Sequence, residues 1–446
     1  MRYADAARYV IDDPDKGVFR VHRDVFGDAD LFDLEVRQIF EGGWVYVCME
    51  NQVPKPNDFF CTKIGRRSVI VSRDEDGVLH CFYNTCRHRG AAICHVERGN
   101  KKYHVCDYHG WAYDSSGKNF DIKDREAGGY ADSFDACDHN LLPVARFDSY
   151  AGLLFVSLNP NVPSLSDYLG DAKKFLDLVM DQGRDGMELV PGRTNYTYAG
   201  NWKLQLDNSL DFYHLTSTHR SFVNIVNQRE AGKSANQQVT SPNFQRRFAM
   251  PAGMFNLGNG HAVMWADQPN PETQPLWGEI EEVTSRVGEM RAKWMLRARN
   301  LTIFPNLQLA DSTSLVLRTI SPLAVDKTEM VMYSLAPVGE ADDLRYTRIR
   351  QHEDFFNVSG LATPDDTIVY EDCQAGFVSA DDDWLQCFER GITALKPGAN
   401  EHASELGISP VASMVGEYAM QNEVSYHSAY QEWVRRLSGA MPQAAE

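Results

Sequence analysis

The sequence predicts an α+β protein in two parts, a small all-β domain followed by a larger α+β domain with its own core. Three observations lead there. Short β-rich runs broken by Pro, Gly, Asn and Asp crowd residues 44–158, the punctuation of a strand-and-turn region. Beyond Asn159-Pro160-Asn161-Val162-Pro163 the apolar spacing turns helical. A chain of 446 residues also favours two or three domains over a single core.

Residues 1–40 carry mixed helical signals, with an amphipathic stretch over 30–40 that ends at Gly42-Gly43. They are expected to pack as an N-terminal segment on the larger domain. Residues 41–160 form the β domain, with strands expected at 44–48, 67–72, 78–83 and 152–158. Residues 161–446 form the larger domain. Helices are expected over 165–180, which Gly183 to Gly186 ends, over 201–219 and over 280–298; strands of a larger sheet are expected at 315–320 and 329–335. No internal repeat is visible, and the small, polar tail after Gly439 is expected to fray.

Hydrophobic residues at 43% and charged residues at 24% are those of an ordinary globular protein. A net charge of -18 with no basic stripe argues against nucleic acid, though it permits docking of a basic partner surface. No apolar run approaches a membrane span, and the start MRYADAARYVIDDPDKG is too polar for a signal peptide. Nine scattered cysteines do not resemble a secreted disulfide framework. The expected compartment is the cytoplasm.

The most informative motif is Cys86-Arg87-His88, seventeen residues, then Cys106-Asp107-Tyr108-His109. Each half supplies one thiolate and one imidazole. That set suits a [2Fe-2S] centre with cysteines on one iron and histidines on the other, the Rieske arrangement. Gly90 and Gly110 follow the two pairs, where tight ligand-bearing turns want glycine. A structural zinc is the competing reading, since zinc accepts the same ligands, but zinc fingers more often group cysteines with cysteines and histidines with histidines. The other cysteines, at 48, 61, 81, 94, 137, 373 and 387, are expected simply to be buried.

A second constellation is Asp211-Phe212-Tyr213-His214-Leu215-Thr216-Ser217-Thr218-His219. Two histidines and a carboxylate form a facial triad that leaves positions open on Fe(II). His214 and His219 lie five residues apart, roughly 140° around an ideal helix, so the helix either is distorted or ends between them. Asp211 and His214 share a face. Spacing leaves the third ligand open among Asp211, Asp207 and the distant pair Asp365-Asp366.

The chain resembles the large subunit of the Rieske non-haem iron aromatic-ring-hydroxylating dioxygenases. The likeness rests on Cys86-Arg87-His88-Arg89-Gly90, Cys106 to Trp111, Asn201-Trp202-Lys203, Asp207-Asn208 and the Asp211 to His219 segment. It implies a Rieske domain beside a catalytic domain with a large antiparallel sheet of the helix-grip type. Cys86, His88, Cys106 and His109 would bind the cluster, and His214, His219 and Asp366 the iron, with Asn208 beside them. Asp211 would bridge His214 to a cluster histidine, His109, of a neighbouring subunit. The resemblance further implies a homotrimeric core of large subunits, a small β subunit, dioxygen as co-substrate, and a separate reductase, with or without a ferredoxin, that oxidises NADH. In keeping with that, the chain has no Gly-x-Gly-x-x-Gly motif.

Within the family the likeness is to the group acting on benzoate, toluate and anthranilate, through Phe40 to Trp44, Ala199 to Gln205 and Arg350 to Gly360 with Ala362-Thr363-Pro364-Asp365-Asp366. Two departures are Asp207-Asn208-Ser209 in place of Glu-Asn-Gly, and Phe212 in place of a small residue. The expected reaction is cis-dihydroxylation of an aromatic carboxylate. Other readings are a monooxygenase of the same architecture, a biphenyl or polycyclic dioxygenase, and a non-catalytic electron-transfer protein. Candidate pocket residues are Leu206, Leu210, Phe212, Ile303, Leu307 and Leu317. No arginine can be named from the sequence as partner of a substrate carboxylate; Arg318, on a presumed strand, is one to inspect for that role, and a solvated face is its expected use.

Overall fold

A computed structural model of the protein describes residues 6–232, 250–380, 382–386, 388–416 and 419–438. Cys387 and the tail after Gly439 lie outside the described residues. The chain divides into two compact units, Val36–Leu165 and a larger one made of Met1–Glu35 with Ser166–Glu446.

The smaller unit is all-β. A four-stranded antiparallel sheet runs Leu79–Tyr83, Arg67–Arg73, Asp58–Ile64, Arg98–Asn100. A three-stranded sheet joins Arg146–Tyr150, Leu153–Ser157 and Val45–Met49, and another joins Asn119–Asp121, Ala112–Asp114 and Tyr103–Val105. Phe82, Ile93, Trp111, Tyr113, Ile122 and Leu141 bury one core beside Cys86 and Cys106.

In the larger unit an antiparallel sheet runs Met187–Leu189, Lys327–Pro337, Leu315–Ala324, Leu307–Asp311, Ala298–Ile303, His261–Ala266, Ala252–Gly258, Ala412–Val415, Lys396–Pro397, and Thr194–Tyr198 also pairs Lys327–Pro337. Its strands His261–Ala266 and Ala298–Ile303 are buried along their whole length, as strands covered on both faces are. Side chains alternate between the faces. On one face Phe255 and Trp265 meet Phe175 and Trp294 of the helices Ala172–Met180 and Glu289–Met295, with ring centroids 5.2 to 6.3 Å apart. On the other, Asn300 donates to the Ser209 carbonyl (2.8 Å) and Gln308 to the Gln205 carbonyl (3.1 Å), which seats the helix Trp202–Asn208 on the sheet. Among the described residues no helix is long and apolar enough to cross a membrane.

Several elements differ from the expectations. The N-terminal segment keeps helix at Ala6–Tyr9, Asp24–Gly27, Ala29–Glu35 and Val36–Phe40 but adds a hairpin of Val10–Asp13 and Val18–His22, because Pro14-Asp15-Lys16-Gly17 closes a turn with Gly17 at φ +67°. The segment 165–180 is two helices, parted at Gly170 (φ +49°). The segment 280–298 is likewise Ile280–Val287 and Glu289–Met295, parted at Gly288 (φ +87°), and Ala298 already starts a strand. The segment 201–219 is Trp202–Asn208 and Leu215–Thr218 with an irregular turn between.

The larger unit is tied together by one buried carboxylate. Glu35 accepts from Lys203 Nζ (2.5 Å), Trp202 Nε1 (2.7 Å) and Trp433 Nε1 (2.6 Å), and all four residues are fully buried. Burial draws the Lys203 ammonium down while Glu35 holds it up. Removing one partner of such a pair strands the other charge. Lys203→Met is therefore expected to cost about 3–5 kcal/mol, and Glu35→Ala more, since two indole N–H groups also lose their acceptor. Denaturant unfolding followed by tryptophan fluorescence checks the ranking; a Glu35→Ala no less stable than Lys203→Met contradicts the three-way role.

Candidate functional site

The two Cys/His loops are built alike. In each, the cysteine carbonyl accepts from the glycine four residues on (Gly90 to Cys86 and Gly110 to Cys106, both 2.9 Å), and the cysteine N–H donates to the carbonyl five residues on (Ala91 and Trp111, both 2.8 Å). Gly90 and Gly110 sit at φ +76° and +73°, where a side chain would be strained. The tight turns leave Cys86 and Cys106 buried and His88 and His109 toward the surface.

The surroundings fit a cluster with thiolates inside and imidazoles outside. Tyr113 Oη lies 3.3 Å from Cys86 Sγ and accepts the Arg87 N–H at 3.0 Å. Burial pushes the Cys106 thiol up, and the Tyr108 and His109 N–H groups that point at its sulfur oppose this. Such N–H groups favour a ligating thiolate. His88 stacks on Trp111, with centroids 5.1 Å apart and planes 6° apart, and lies 4.4 Å from the His109 ring. Partial desolvation and the charges of His88 and Arg89 hold His109 below the usual imidazole range, and its Nδ1 is buried without a hydrogen-bond partner.

The second site forms where the expected helix breaks. Asn201 caps Trp202–Asn208, accepting from the Lys203 N–H at 3.1 Å. Asp211 Oδ1 then takes the N–H groups of Tyr213 (2.6 Å) and His214 (3.3 Å), a local turn that competes with helix. His214 starts the one-turn helix Leu215–Thr218, and His219 ends it at φ -94°, ψ 34°. That departure from helical ψ lets two residues five apart converge: His214 Nε2 and His219 Nε2 are 3.2 Å apart.

The third partner comes from the helix Thr363–Phe377, which begins Thr363-Pro364-Asp365-Asp366. Proline and acids in a first turn suit a helix N-terminus. Asp366 Oδ1 lies 3.4 Å from His214 Nε2 and 3.1 Å from His219 Nε2. Among the described residues, His214, His219 and Asp366 are the one trio of His, Cys, Asp or Glu whose donor atoms all lie within 4.8 Å of one another. Asn208 Nδ2 lies 3.2 Å from Asp366 Oδ1 and 3.3 Å from His214 Nε2. The outer imidazole nitrogens face further carboxylates, His214 Nδ1 to Asp211 Oδ2 at 3.0 Å and His219 Nδ1 to Asp365 Oδ2 at 3.5 Å.

The field of this site is negative. Burial pushes His214 down, but Asp211 and Asp366 override it and raise the imidazole to about 10. Burial raises the Asp366 carboxyl, and the two histidines outweigh that and hold it far below the usual range. A divalent cation replacing those protons suits two imidazoles and a carboxylate, and the arrangement leaves coordination positions open.

The pocket expectations divide. Leu206, Leu210 and Phe212 are buried in the site segment itself. Ile303, Leu307 and Leu317 are buried on the opposite face of the sheet, in register with the strands of Phe255 and Trp265. They are core, because alternation turns them away from Asn300 and Gln308. Arg318 is not solvated: it is 5% exposed and shares the site face with Gln308, its register partner. Sequence reasoning missed Tyr113, Asn300 and Gln308 as supporting residues, and named Asp365 only as a candidate ligand. Of the three missed, Asn300 and Gln308 carried a signal, as polar residues inside largely apolar strands.

Comparison with known proteins finds a family for each of the two parts of the chain. Residues 43–146 match the Rieske [2Fe-2S] domain and residues 187–439 the ring hydroxylating alpha subunit catalytic domain. The chain is 40% identical over 422 residues to the toluate 1,2-dioxygenase subunit alpha of Pseudomonas putida, covering 93% of this chain and 92% of that one. It is 39% identical over 433 residues to the anthranilate 1,2-dioxygenase large subunit of Acinetobacter baylyi, covering 95% and 90%. Among solved structures, naphthalene 1,2-dioxygenase from Rhodococcus sp. bound to indole aligns at TM-score 0.81 and 27% identity over 95% of each chain. The Rieske match removes the zinc reading, and the catalytic-domain match the purely electron-transferring one.

Proposed function

The chain belongs to the ring-hydroxylating alpha-subunit family as the large subunit of a Rieske non-haem iron aromatic-ring dioxygenase, and we propose that its substrate is an aromatic carboxylate of the benzoate or anthranilate kind. The observation that carries this reading is about 40% identity, over 93% and 95% of the chain, to proteins named for toluate and anthranilate. The product expected is the cis-diol at the carboxylate-bearing carbon and its neighbour. With an ortho amino group, loss of carbon dioxide and ammonia then gives a catechol.

In this reading His214, His219 and Asp366 hold the mononuclear iron, which supplies dioxygen binding and activation when bound. Cys86, Cys106, His88 and His109 hold the cluster. The chain's own residues do the positioning. Asp211 and Asp365 face the outer imidazole nitrogens and turn the inner ones toward a common point. Asn208 donates to Asp366 and fixes the orientation of that carboxylate. Asp211 stays partly exposed, with 21% of its side chain accessible, which supports a second role as the bridge to His109 of a neighbouring copy.

Family membership places the chain in a multi-subunit oxygenase system supplied by a reductase. The finer assignments are a homotrimeric core, a small β subunit and a separate NADH-oxidising reductase. A cytoplasmic setting is supported by six cysteines outside the cluster loops that form no disulfide among the described residues, Cys48, Cys61, Cys81, Cys94, Cys137 and Cys373.

Reconstitution with a small subunit and reductase under isotopically labelled dioxygen tests the reaction. Two labelled oxygens in a product of benzoate or anthranilate are expected; one would make the protein a monooxygenase, and turnover of biphenyl alone would discard the carboxylate. His219→Ala and Asp366→Ala are expected to lose the mononuclear iron while keeping the visible spectrum of the cluster. Asp211→Ala is expected to keep both metals and lose about 10–100-fold in coupled turnover; loss of iron instead sinks the bridge.

A further inference from the structure

Five arginines are buried among the described residues, and four of them meet a carboxylate. Arg297 pairs with Asp267 and Glu405, Arg299 with Asp311, Arg348 with Glu340 and Arg436 with Glu432. The fifth, Arg318, is 5% exposed and meets no carboxylate among the described residues, and its Nε, like that of Arg299, has no hydrogen-bond partner there. A guanidinium cannot escape this by losing its proton, and an isolated buried cation is costly. A buried cation without a carboxylate is a place where an anionic ligand would be bound.

The position of Arg318 says where that ligand sits. It lies in one register row with Thr194, Met332 and Gln308, on the sheet face that seats the iron-site helix. Its guanidinium carbon stands 4.4 Å from the centroid of the Phe356 ring. Phe356 meets Phe355 at 4.7 Å, and Phe355 meets His219 at 5.7 Å. Toward Asp366, Tyr370 lies one helical turn on, and its hydroxyl is buried with no hydrogen-bond partner. That phenol feels both the Asp366 carboxylate and the Arg318 charge. His352, the other titratable group that feels this arginine from a neighbouring helix, is lowered to about 4 by burial and by Arg318 and supplies no counter-charge.

We propose that Arg318 binds the carboxylate of the substrate, its guanidinium plane held by Phe356, so that the ring is presented to the site of His214, His219 and Asp366. The proposal rests on the aromatic-carboxylate reading above. A fork of N–H donors matches a carboxylate and discriminates against a neutral arene of the same shape. An unliganded site then holds an unpaid desolvation cost that only an anionic substrate relieves.

The test uses the reconstituted oxygenase with both metals loaded and measures binding of benzoate and of its neutral isostere benzamide calorimetrically. Arg318→Gln is expected to weaken benzoate on the order of 100-fold, as loss of charged hydrogen bonds does, and to collapse the benzoate-to-benzamide ratio toward one. Arg318→Lys, which keeps the charge and loses the fork, should fall between. Since no native pair is broken, the ligand-free melting temperature of Arg318→Gln should hold or rise, whereas an arginine that braces the fold would lower it. Equal loss of both ligands, no loss of benzoate, or a lowered ligand-free melting temperature in both variants overturns the assignment. A wild-type protein that prefers benzamide or binds no benzoate refutes the carboxylate substrate itself, a failure visible before any variant is made.

Discussion

The larger unit depends on the carboxylate of Glu35. Three donors from two distant stretches of chain, Trp202 with Lys203 and Trp433, converge on its two oxygens in a site that water does not reach. A buried pair of this kind adds little stability over a well-packed apolar substitute, but it punishes every misplacement of either partner. What it gains is register. Lys203 and Trp202 form the first turn of the helix whose last residue is Asn208, so the carboxylate fixes the rotation of that helix. Asn201 extends the restraint, donating to the carbonyls of Val325 (2.8 Å) and Phe26 (3.3 Å). With the far end held by Asn300 and Gln308, Asn208 has little freedom to leave the two imidazoles.

Both centres then obey one rule, in which polar groups behind the ligands decide how the ligands point. At the cluster loops the backbone does this: paired hydrogen bonds through Cys86 and Gly90, and through Cys106 and Gly110, aim sulfur inward, and N–H groups favour the thiolate. At the histidine site side chains do it, with Asp211 and Asp365 behind the imidazoles and Asn208 beside Asp366. The carboxylates gathered there outweigh burial and raise the His214 imidazole to about 10, the mark of a site that favours positive charge.

Much of this was legible from the amino-acid order, for reasons that are themselves local. Cys-x-His and Cys-x2-His with following glycines state a loop geometry, because the chain must turn within four residues to present two ligands. Helix breaks were less legible. Gly170 and Gly288 offered the signal, yet apolar spacing on either side continued the pattern across them. The break after Asn208 is set by Asp211 taking two backbone N–H groups, a competition that residue spacing does not reveal. The sheet strands Ala252–Gly258 and His261–Ala266 passed unread although Asn259-Gly260 between them adopts positive φ at both positions (51° and 81°), the conformation such a hairpin turn requires. Asp366 stood among the open candidates, but only resemblance singled it out from Asp207, Asp211 and Asp365, since nothing in linear distance joins it to His214.

Apolar residues are poor markers of a pocket in such a fold. In a sheet covered on both faces, leucines line either side, so Ile303, Leu307 and Leu317, on the face away from Asn300 and Gln308, read no differently from leucines on the other and carry no direction. The polar residues carry it. Asn300, Gln308 and Arg318 interrupt otherwise apolar strands, and register places Gln308 and Arg318 side by side and Asn300 on the same face. Buried polar groups need partners: the side-chain amides of Asn300 and Gln308 donate to the backbone of the site segment, while Arg318 meets the Phe356 ring and, among the described residues, no carboxylate. A hydrophobic strand tolerates such a residue only where something polar is met, so the interruptions, rather than the leucines around them, mark the face on which the chemistry is built.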